Sequence, residues 1–580
     1  MPHYPSDSAF IKDLFRMQRS EQEDRSRKTL GLRTDALKAQ VTNTPDDPKV
    51  YIELAHCHAA MGEHLTGVEI LERAACRLPL DFEIHYALLR MLQKCGLDND
   101  ALAAGERACR LLQDDFILRL EYELYLPKLY DSEQEILAYH RRYQEGLERC
   151  IAACDLETRE GALRAARGFS RYSNFYLAYQ GFDNLAVIRR YGQFVHRVMS
   201  AAYPQWSRLS GEPPIRKDSK PRIGYISAYF REHTVGKLFL GWLTQRDRNL
   251  YTAHCYYSGD SNDAVTDAYR RASDSFFQSR DLEAICAAIQ HDRPDVLVFT
   301  DVGMDPVISQ IAALRLAPVQ CVTWGHPVTT GLPTVDYFIS SELMEPPDSR
   351  RHYTEDLIRL TNLGIFYTKP LIPRPLLSKT RADFGLPQDR VVYLSSQSQF
   401  KYLPQHDRLF AEIAVAVPNS HFVFLAPNQL RGSKFLRRLQ KAFSAVGLSA
   451  SESCTVLPEQ NNFDYWNLHL VSDIFLDTAA WSGGRTSLEA VACGLPIVTL
   501  QGDIMRARHT AGILTLSGSR ETIALEAKEY VSTAARLGRE PSWRKKQSST
   551  AHHQTLFSDD SAVRSLEKFL LATNRSHNWG

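Results

Sequence analysis

The feature that most restricts this chain is an alternation running from Arg222 to Leu500. Short β-rich runs, Arg222–Ile226, Ala253–Tyr257, Val296–Phe299, Val319–Trp324 and Tyr337–Ile339, are separated by amphipathic helical segments. A second series follows: Val391–Leu394, His421–Leu425, Ile474–Leu476 and Pro496–Leu500. Helical patterns lie between them, such as Ser433–Phe443, where Phe435, Leu436, Leu439 and Phe443 share one face. Strands alternating with helices in this way build a parallel sheet covered by helices. The proline-bearing stretches Gly211–Pro221 and Lys369–Pro375 read as linkers. The expectation is two successive Rossmann-like α/β domains, 221–375 and 381–540. The cleft between them faces the C-terminal strand ends, where open α/β sheets bind ligands. The tail, 541–580, is expected to be helical, with Ser561–Leu571 packing back across the first α/β domain.

Upstream, 46–210 carries a different periodicity. Tyr51, Leu54, Ala55, Gly67, Leu71, Ala74 and Pro79 fall at the spacing of a tetratricopeptide unit, a helical hairpin of ~34 residues. One period on, His85, Leu88, Leu89, Ala101 and Ala108 occupy equivalent positions, and a degenerate third unit from Arg119 keeps Tyr122 and Leu126 at apolar sites. Two clear repeats bury their faces only against neighbours, so Gln134–Cys154 and Gly161–Ala178 are expected as further helices. The segment 1–45 is polar, rich in both charge signs, and lacks the apolar stretch of a secretory signal.

The 580 residues are too many for one core. Sixty-nine basic side chains against 68 acidic ones leave a net charge of +1, which gives no support to nucleic-acid or anionic-membrane binding. No apolar run reaches the ~18–20 residues of a membrane span. The 11 cysteines are irregularly spaced, and neither Cys150 with Cys154 nor His56-Cys57-His58 has a second ligand pair at zinc-site spacing. No metal is expected, and a reducing cytoplasm is the simplest home.

The chemistry gathers in the loops after strands. Ile474–Asp477 runs into Trp481-Ser482-Gly483-Gly484-Arg485-Thr486-Ser487, and a helix follows through Glu489 and Ala490. Two glycines and then hydroxyl residues opening a helix leave free N–H groups and a positive dipole end, which hold phosphate. Arg485 adds charge and Thr486 and Ser487 add hydroxyls; an ordinary helix N-cap is the alternative. Ser395-Ser396-Gln397-Ser398-Gln399-Phe400-Lys401 follows the first strand of the same domain. There Lys401 is either a point charge for those phosphates or a solvated surface lysine. In the first domain, Ser227 through His233 follow the first strand, and His233 is a candidate proton carrier or hydrogen-bond donor, with a structural histidine as the alternative. Gly325-His326-Pro327 and Thr329-Thr330-Gly331 form a polar loop expected at the cleft. Asp301, after Val296–Phe299, is the carboxylate best placed to be a base.

In chain order these segments resemble the O-GlcNAc transferase and SPINDLY family, glycosyltransferase family 41. The likeness is carried by Arg222 to Ser227 continuing to His233; by Leu316 to Gln320 and on through Trp324-Gly325-His326-Pro327, Thr330-Gly331 and Asp336-Tyr337; by Phe400-Lys401; and by Asp473, Asp477-Thr478, Gly483, Thr486, Gly494, Pro496 and Val498-Thr499. Asn174-Phe175-Tyr176 through Tyr191-Gly192 and His196 resemble the paired helices before the family's first strand. The resemblance implies a GT-B fold behind tetratricopeptide-like repeats and an inverting, metal-independent transfer from a nucleotide sugar. UDP-GlcNAc is the implied donor and a Ser or Thr hydroxyl the implied acceptor, on a polypeptide presented by the repeats. It implies His233 at the family's active-site histidine, Lys401 at its diphosphate lysine, and a donor site of Gly325, His326, Pro327, Gln397, Tyr465, Gly483, Gly484, Arg485, Thr486, Ser487 and Glu489.

Departures accompany the likeness. Gly484-Arg485-Thr486 replaces a His-Thr-Thr run, so only Thr486 is kept, and Glu489 stands for a ribose-contacting aspartate. Tyr465 replaces a histidine that stacks on uracil, and Leu468 a base-contacting arginine. These keep open the GDP-fucose donor of the SPINDLY branch, the UDP-glucose donor and asparagine acceptor of the adhesin N-glycosyltransferase branch, a glycan acceptor, and an inactive repeat scaffold. The triplet Asp98-Asn99-Asp100 lies in the repeat arm, not in the cleft.

Overall fold

A computed structural model describes residues 28–209, 220–373, 377–548 and 555–577. The expected linker Gly211–Pro221 lies almost wholly outside them, as do the end of Lys369–Pro375 and residues 1–27 of the polar segment. The rest of that segment is helical over 28–43.

The repeat period is visible in its caps. Asp47, Asp81 and Asp115 open the helices Pro48–Ala60, Phe82–Cys95 and Phe116–Glu123, each side chain accepting a backbone N–H of its helix's first turn. Partner helices His64–Arg77, Asp98–Leu111 and Glu133–Ala152 complete three hairpins. Gly67 lets the first hairpin close, since a Cβ there would stand 2.9 Å from Ala55 O. The third unit departs from its expected form. Phe116–Glu123 stops early, Pro127 disfavours helix at the residue before it, and irregular backbone fills 124–132. The expected helix Gly161–Ala178 is two pieces, an α-helix Arg159–Phe169 and a 3₁₀ turn Phe175–Gln180. The break occurs where Tyr172 turns inward to donate its hydroxyl to Leu124 O at 3.0 Å. Helix Leu185–Ala202 then packs on the first α/β domain, with Gly192 against the backbone of Thr330 and Gly331.

Strands β1 (Arg222–Ser227), β2 (Thr252–Tyr257), β3 (Ser275–Gln278), β4 (Val296–Phe299), β5 (Val319–Thr323), β6 (Tyr337–Ser341) and β7 (Asp356–Leu360) form one parallel sheet in the order β3-β2-β1-β4-β5-β6-β7. Strands β8 (Val391–Ser395), β9 (Ser420–Ala426), β10 (Cys454–Pro458), β11 (Ile474–Leu476), β12 (Ile497–Leu500) and β13 (Ile523–Ala524) form another, ordered β10-β9-β8-β11-β12-β13. Sequence pattern found the central strands to within a residue or two and missed β3, β7, β10 and β13, which are the four edges. In each sheet the direction of winding reverses once, between β1 and β4 and between β8 and β11. Those crevices are where such folds bind ligands.

The C-terminal helix Ser561–His577 lies on the first domain: Glu567 accepts from Asp247 N at 2.7 Å, and Phe569 meets Tyr337 edge-on. Helix Pro541–Gln547, expected in the tail, instead packs on Ala527–Arg539, with the Arg536 guanidinium 4.2 Å above the Trp543 ring.

The repeats are bolted to the second domain through helix Gln429–Ser444, which starts earlier than its apolar pattern. Asn428 Nδ2 donates to Lys94 O at 3.0 Å, and Lys434 pairs with Asp98 at 2.7 Å. Arg438 grips Asp407 at 2.7 and 2.8 Å and donates to Tyr130 O at 2.8 Å, all of it buried. Replacing one member of a buried pair leaves an uncompensated charge. Arg438→Met is therefore expected to lose about 3–5 kcal/mol in urea unfolding. A loss under about 1 kcal/mol would show that the Arg438–Asp407 pair, which lies within the second domain, contributes little to its stability.

Candidate active site

The two crevices face each other, and an aromatic cluster closes the space between them. Tyr179 stacks on Trp481 at 3.8 Å, Phe175 meets His326 at 5.1 Å and Phe400 at 5.8 Å, and Trp324 lies 5.4 Å from His509. Repeat-side helix, first domain and second domain thus share one apolar seam.

In the second domain the loop after β11 is built on Asp477. This carboxylate is buried and accepts from Gly483 N at 2.7 Å, Ser482 Oγ at 2.6 Å and Thr499 Oγ1 at 2.8 Å. Burial raises its pKa and these bonds oppose the rise. At Gly483 a Cβ would sit 2.5 Å from Gln397 Nε2 and from Thr486 Oγ1, so a side chain there would displace both. Gly484 faces open space, and helix Arg485–Cys493 starts there with no side-chain cap. Across the crevice, Lys401 Nζ donates to Gln397 Oε1 at 2.9 Å and to Ser482 O at 3.3 Å, and Gln397 Nε2 donates to Thr486 Oγ1 at 2.8 Å. Burial pushes the Lys401 ammonium down to about 8. An uncapped helix start, an ammonium and a hydroxyl therefore converge, the arrangement that receives a phosphate group.

Other expected donor residues are placed differently. Arg485 turns away from the loop, with Nε on Glu489 Oε1 at 2.6 Å, so its charge is spent on that buried carboxylate. Ser487 is fully buried against Thr510 at 2.7 Å. Tyr465, whose hydroxyl burial and the Glu489 charge hold well above its usual range, lines a cavity of about 310 Å³ with Tyr367, Trp466 and Arg485. That cavity runs beside the helix start and is open to a flat group.

In the first domain, Gly325 allows close backbone approach, because a Cβ would collide with Thr300 O. His326 and Pro327 are buried, and burial together with Arg506 presses the His326 ring down to about 3. Thr329-Thr330-Gly331 is not the cleft-facing loop expected. Glu355 accepts from Thr330 N at 2.7 Å and from Thr329 Oγ1 at 2.6 Å, so the polar side chains are consumed in holding the loop. Asp301 is 0% exposed and accepts from Ala228 N at 3.2 Å and Thr300 Oγ1 at 3.0 Å. Burial and neighbouring Asp305 raise it to about 7. It pins the turn after β1, through the bond from Ala228 N.

His233 caps helix Thr234–Thr244, its Nδ1 accepting from Val235 N at 3.3 Å, and stacks on Tyr229 at 4.1 Å. Burial and the charges of Arg231 and Arg485 press it down to about 4, so the ring is neutral at pH 7. With Nδ1 accepting, the neutral ring carries its proton on Nε2 and is a donor. It lines a cavity of about 380 Å³ whose other walls are Tyr229, Met304 and the repeat-side residues Glu121, Leu126, Lys128 and Tyr176. Among the described residues no three His, Cys, Asp or Glu side chains group as metal ligands, and His58 is taken by Glu63 at 2.6 Å. Sequence reasoning named Trp481 only as the start of its loop and missed His509 and Tyr179, which no local spacing marks.

Comparison with known proteins agrees with this geometry. The model of the family described as glycosyl transferase family 41 matches residues 209–368 and 366–565. The Arabidopsis thaliana protein named "Probable UDP-N-acetylglucosamine--peptide N-acetylglucosaminyltransferase SPINDLY" is 31% identical over 357 residues, 58% of this chain and 36% of that one. The like-named SEC protein of the same plant is 23% identical over 61% of this chain and 37% of its own. The chain thus spans little more than a third of these relatives. An O-GlcNAc transferase structure from Thermobaculum terrenum superposes with a TM-score of 0.67 at 22% identity, covering 99% of both chains. The family model covers both α/β domains in the order the resemblance required, and the chain belongs to glycosyl transferase family 41.

Proposed function

We propose that the chain transfers GlcNAc from UDP-GlcNAc, with inversion, to a Ser or Thr hydroxyl of a polypeptide. The observation that carries the reading is the bridge Lys401–Gln397–Thr486 beside the uncapped helix start at Gly484. The sugar donor follows the relatives, which are named probable UDP-N-acetylglucosamine--peptide N-acetylglucosaminyltransferases. In this reading the diphosphate rests on Thr486 Oγ1 and the N–H groups of the helix start, with Lys401 freed from Gln397 to meet the charge that gathers as the glycosidic bond breaks. Preorganised donors aimed at developing charge supply a large share of catalysis. The cavity beside Tyr465 takes the nucleoside, Gly325 and His326 wall the sugar, and His233 donates Nε2–H into the acceptor cavity. The bond from the acceptor oxygen to the anomeric carbon forms as the bond to UDP breaks, and the acceptor's proton passes to a phosphate oxygen of the departing UDP, while Asp301 supports the turn that carries His233. The repeats present the acceptor, since their residues wall the same cavity as His233.

No described helix is long and apolar enough to cross a membrane. The 11 cysteines are all free, which fits a reducing cytoplasm.

Transfer measured with UDP-GlcNAc and a Ser/Thr peptide tests the reading directly; binding of GDP-fucose or UDP-glucose in preference to UDP-GlcNAc would overturn the donor. Lys401→Ala is expected to lower kcat on the order of 10²–10³ with a smaller change in KM, because the contact strengthens in the transition state. A variant within about threefold of wild type would return Lys401 to a surface role.

The pH dependence has a definite sign. A lysine at about 8 is charged below that value and loses its proton above it. The kcat/KM for the donor, which reports the free enzyme, should fall about tenfold per pH unit above pH 8. Lys401→Arg should remove that limb. Protein cations and a helix end meet the leaving charge in this scheme, so excess chelator should leave the rate nearly unchanged. Activity lost to chelator and restored by magnesium or manganese would refute it.

A further inference from the structure

Among the described residues, two cations at the junction of the repeats and the second α/β domain have no anion paired with them. Arg431, in the first turn of helix Gln429–Ser444, is 5% exposed, and its Nε and Nη2 have no acceptor. Its stem is wedged against the repeats at Gly96, where a Cβ would come 3.2 Å from Arg431 Cγ. The residue lines a cavity of about 390 Å³ with Tyr176, Phe400, Glu459 and Gln397, the last also a member of the bridge to Lys401. Lys128, on the irregular backbone that replaces the third repeat's turn, stands 5.0 Å over the Tyr176 ring and lines the cavity that holds His233. Tyr176 is a wall of both cavities.

The nearby carboxylates are already engaged or out of reach. Glu121 is held by Arg90 at 3.3 Å and by Gln93 at 3.1 Å; Asp98 is held by Lys434 at 2.7 Å and by the Tyr125 hydroxyl at 2.5 Å. Glu459 shares the cavity of Arg431 but forms no ion pair with it. Burial presses Lys128 down to about 8, and the guanidinium groups of Arg431 and Arg90 press the same way. A buried guanidinium with unmet donors is costly, and a ligand oxyanion removes that cost.

We propose that Arg431 and Lys128 form an anion subsite for the acceptor polypeptide, reading an Asp or Glu side chain carried a few residues from the hydroxyl that is glycosylated. The proposal rests on the transferase reading above. It favours the acceptor over the donor phosphates for two reasons. The diphosphate site has its own donors at Lys401, Thr486 and the helix start. Arg431 is also wedged against the repeats at Gly96 and shares its cavity with Tyr176, a wall of the cavity that Lys128 and His233 line. A planar fork matches a carboxylate, and Tyr176 is the wall that its cavity shares with that of His233.

The test uses the full chain and pairs of peptides with one Ser, alike except for Glu or Gln at positions on either side. Peptide binding is followed by fluorescence anisotropy without donor, transfer by steady-state kinetics, and UDP affinity by calorimetry. The Glu peptides should bind and react about tenfold better than their Gln partners, mainly through KM, the size of one charge-assisted hydrogen bond. Arg431→Gln and Lys128→Gln should each reduce that preference to about twofold or less while UDP affinity holds, and Arg431→Lys should restore part of it. Equal binding of Glu and Gln peptides to the wild type would overturn the subsite and leave the transferase reading intact. A fall in UDP affinity in Arg431→Gln would give the guanidinium to the donor and also overturn it. A Glu preference in binding with no transfer to any peptide would support the subsite and count against the transferase reading alone.

Discussion

The carboxylate of Asp477 is the point on which the second domain and its crevice both depend. A carboxyl group at full burial needs its lone pairs satisfied, and here a backbone N–H and two hydroxyls satisfy it from two parts of the chain. The Tyr530 hydroxyl takes the residue's own carbonyl at 2.8 Å, tying helix Ala527–Arg539 to the same spot. Because Gly483 is pinned from below, the first turn of helix Arg485–Cys493 cannot settle against its own loop and stays turned toward the crevice. The stability of that hydrogen-bond set is thus spent on orientation: partners inside the domain fix the shape of the loop.

Much of this was legible in the sequence because parallel strands in the middle of a sheet are buried on both faces and must be apolar almost without interruption. β4, with all four residues buried, and β9, with all seven, announce themselves. Edge strands carry no such obligation. β7 exposes Asp356 and Arg359, and β13 is two residues long, so neither leaves a pattern a reader can find. In the crevice, Lys401, Gln397, Gly483 and Thr486 were legible because strand-end loops and helix starts are local features. Arg485 and Ser487 were misjudged for a complementary reason. Sequence places a residue in a loop, but partners distant in the chain or one turn along decide where its side chain points. Glu489 captures the arginine, and Thr510 captures the serine.

His233 and Asp301 show how the same strand end distributes work by burial. Both follow strands that meet at the switch point of the first sheet, and both carry pKa values displaced toward the neutral form. Only the imidazole reaches a cavity, and its cap to Val235 selects the tautomer that donates. The carboxylate beneath it holds the backbone from which the histidine is offered. A catalytic histidine and a structural histidine were alternatives in the sequence, and the geometry gives this one a structural bond on one nitrogen and leaves the other facing space.

The docking of helix Gln429–Ser444 on the repeats bears on how such a protein can change over generations. Repeat arrays are commonly regarded as exchangeable modules whose units are gained, lost or swapped with little cost to whatever they carry. Here the second and third hairpins supply a backbone carbonyl at Lys94, an absent side chain at Gly96, a carboxylate at Asp98 and a second carbonyl at Tyr130 to the neighbouring domain. Divergence in these two units is constrained by a partner outside the array. The first hairpin, whose helices precede these contacts, is where lengthening or replacement meets the least resistance, so new recognition surface should accumulate at the N-terminal end of the array.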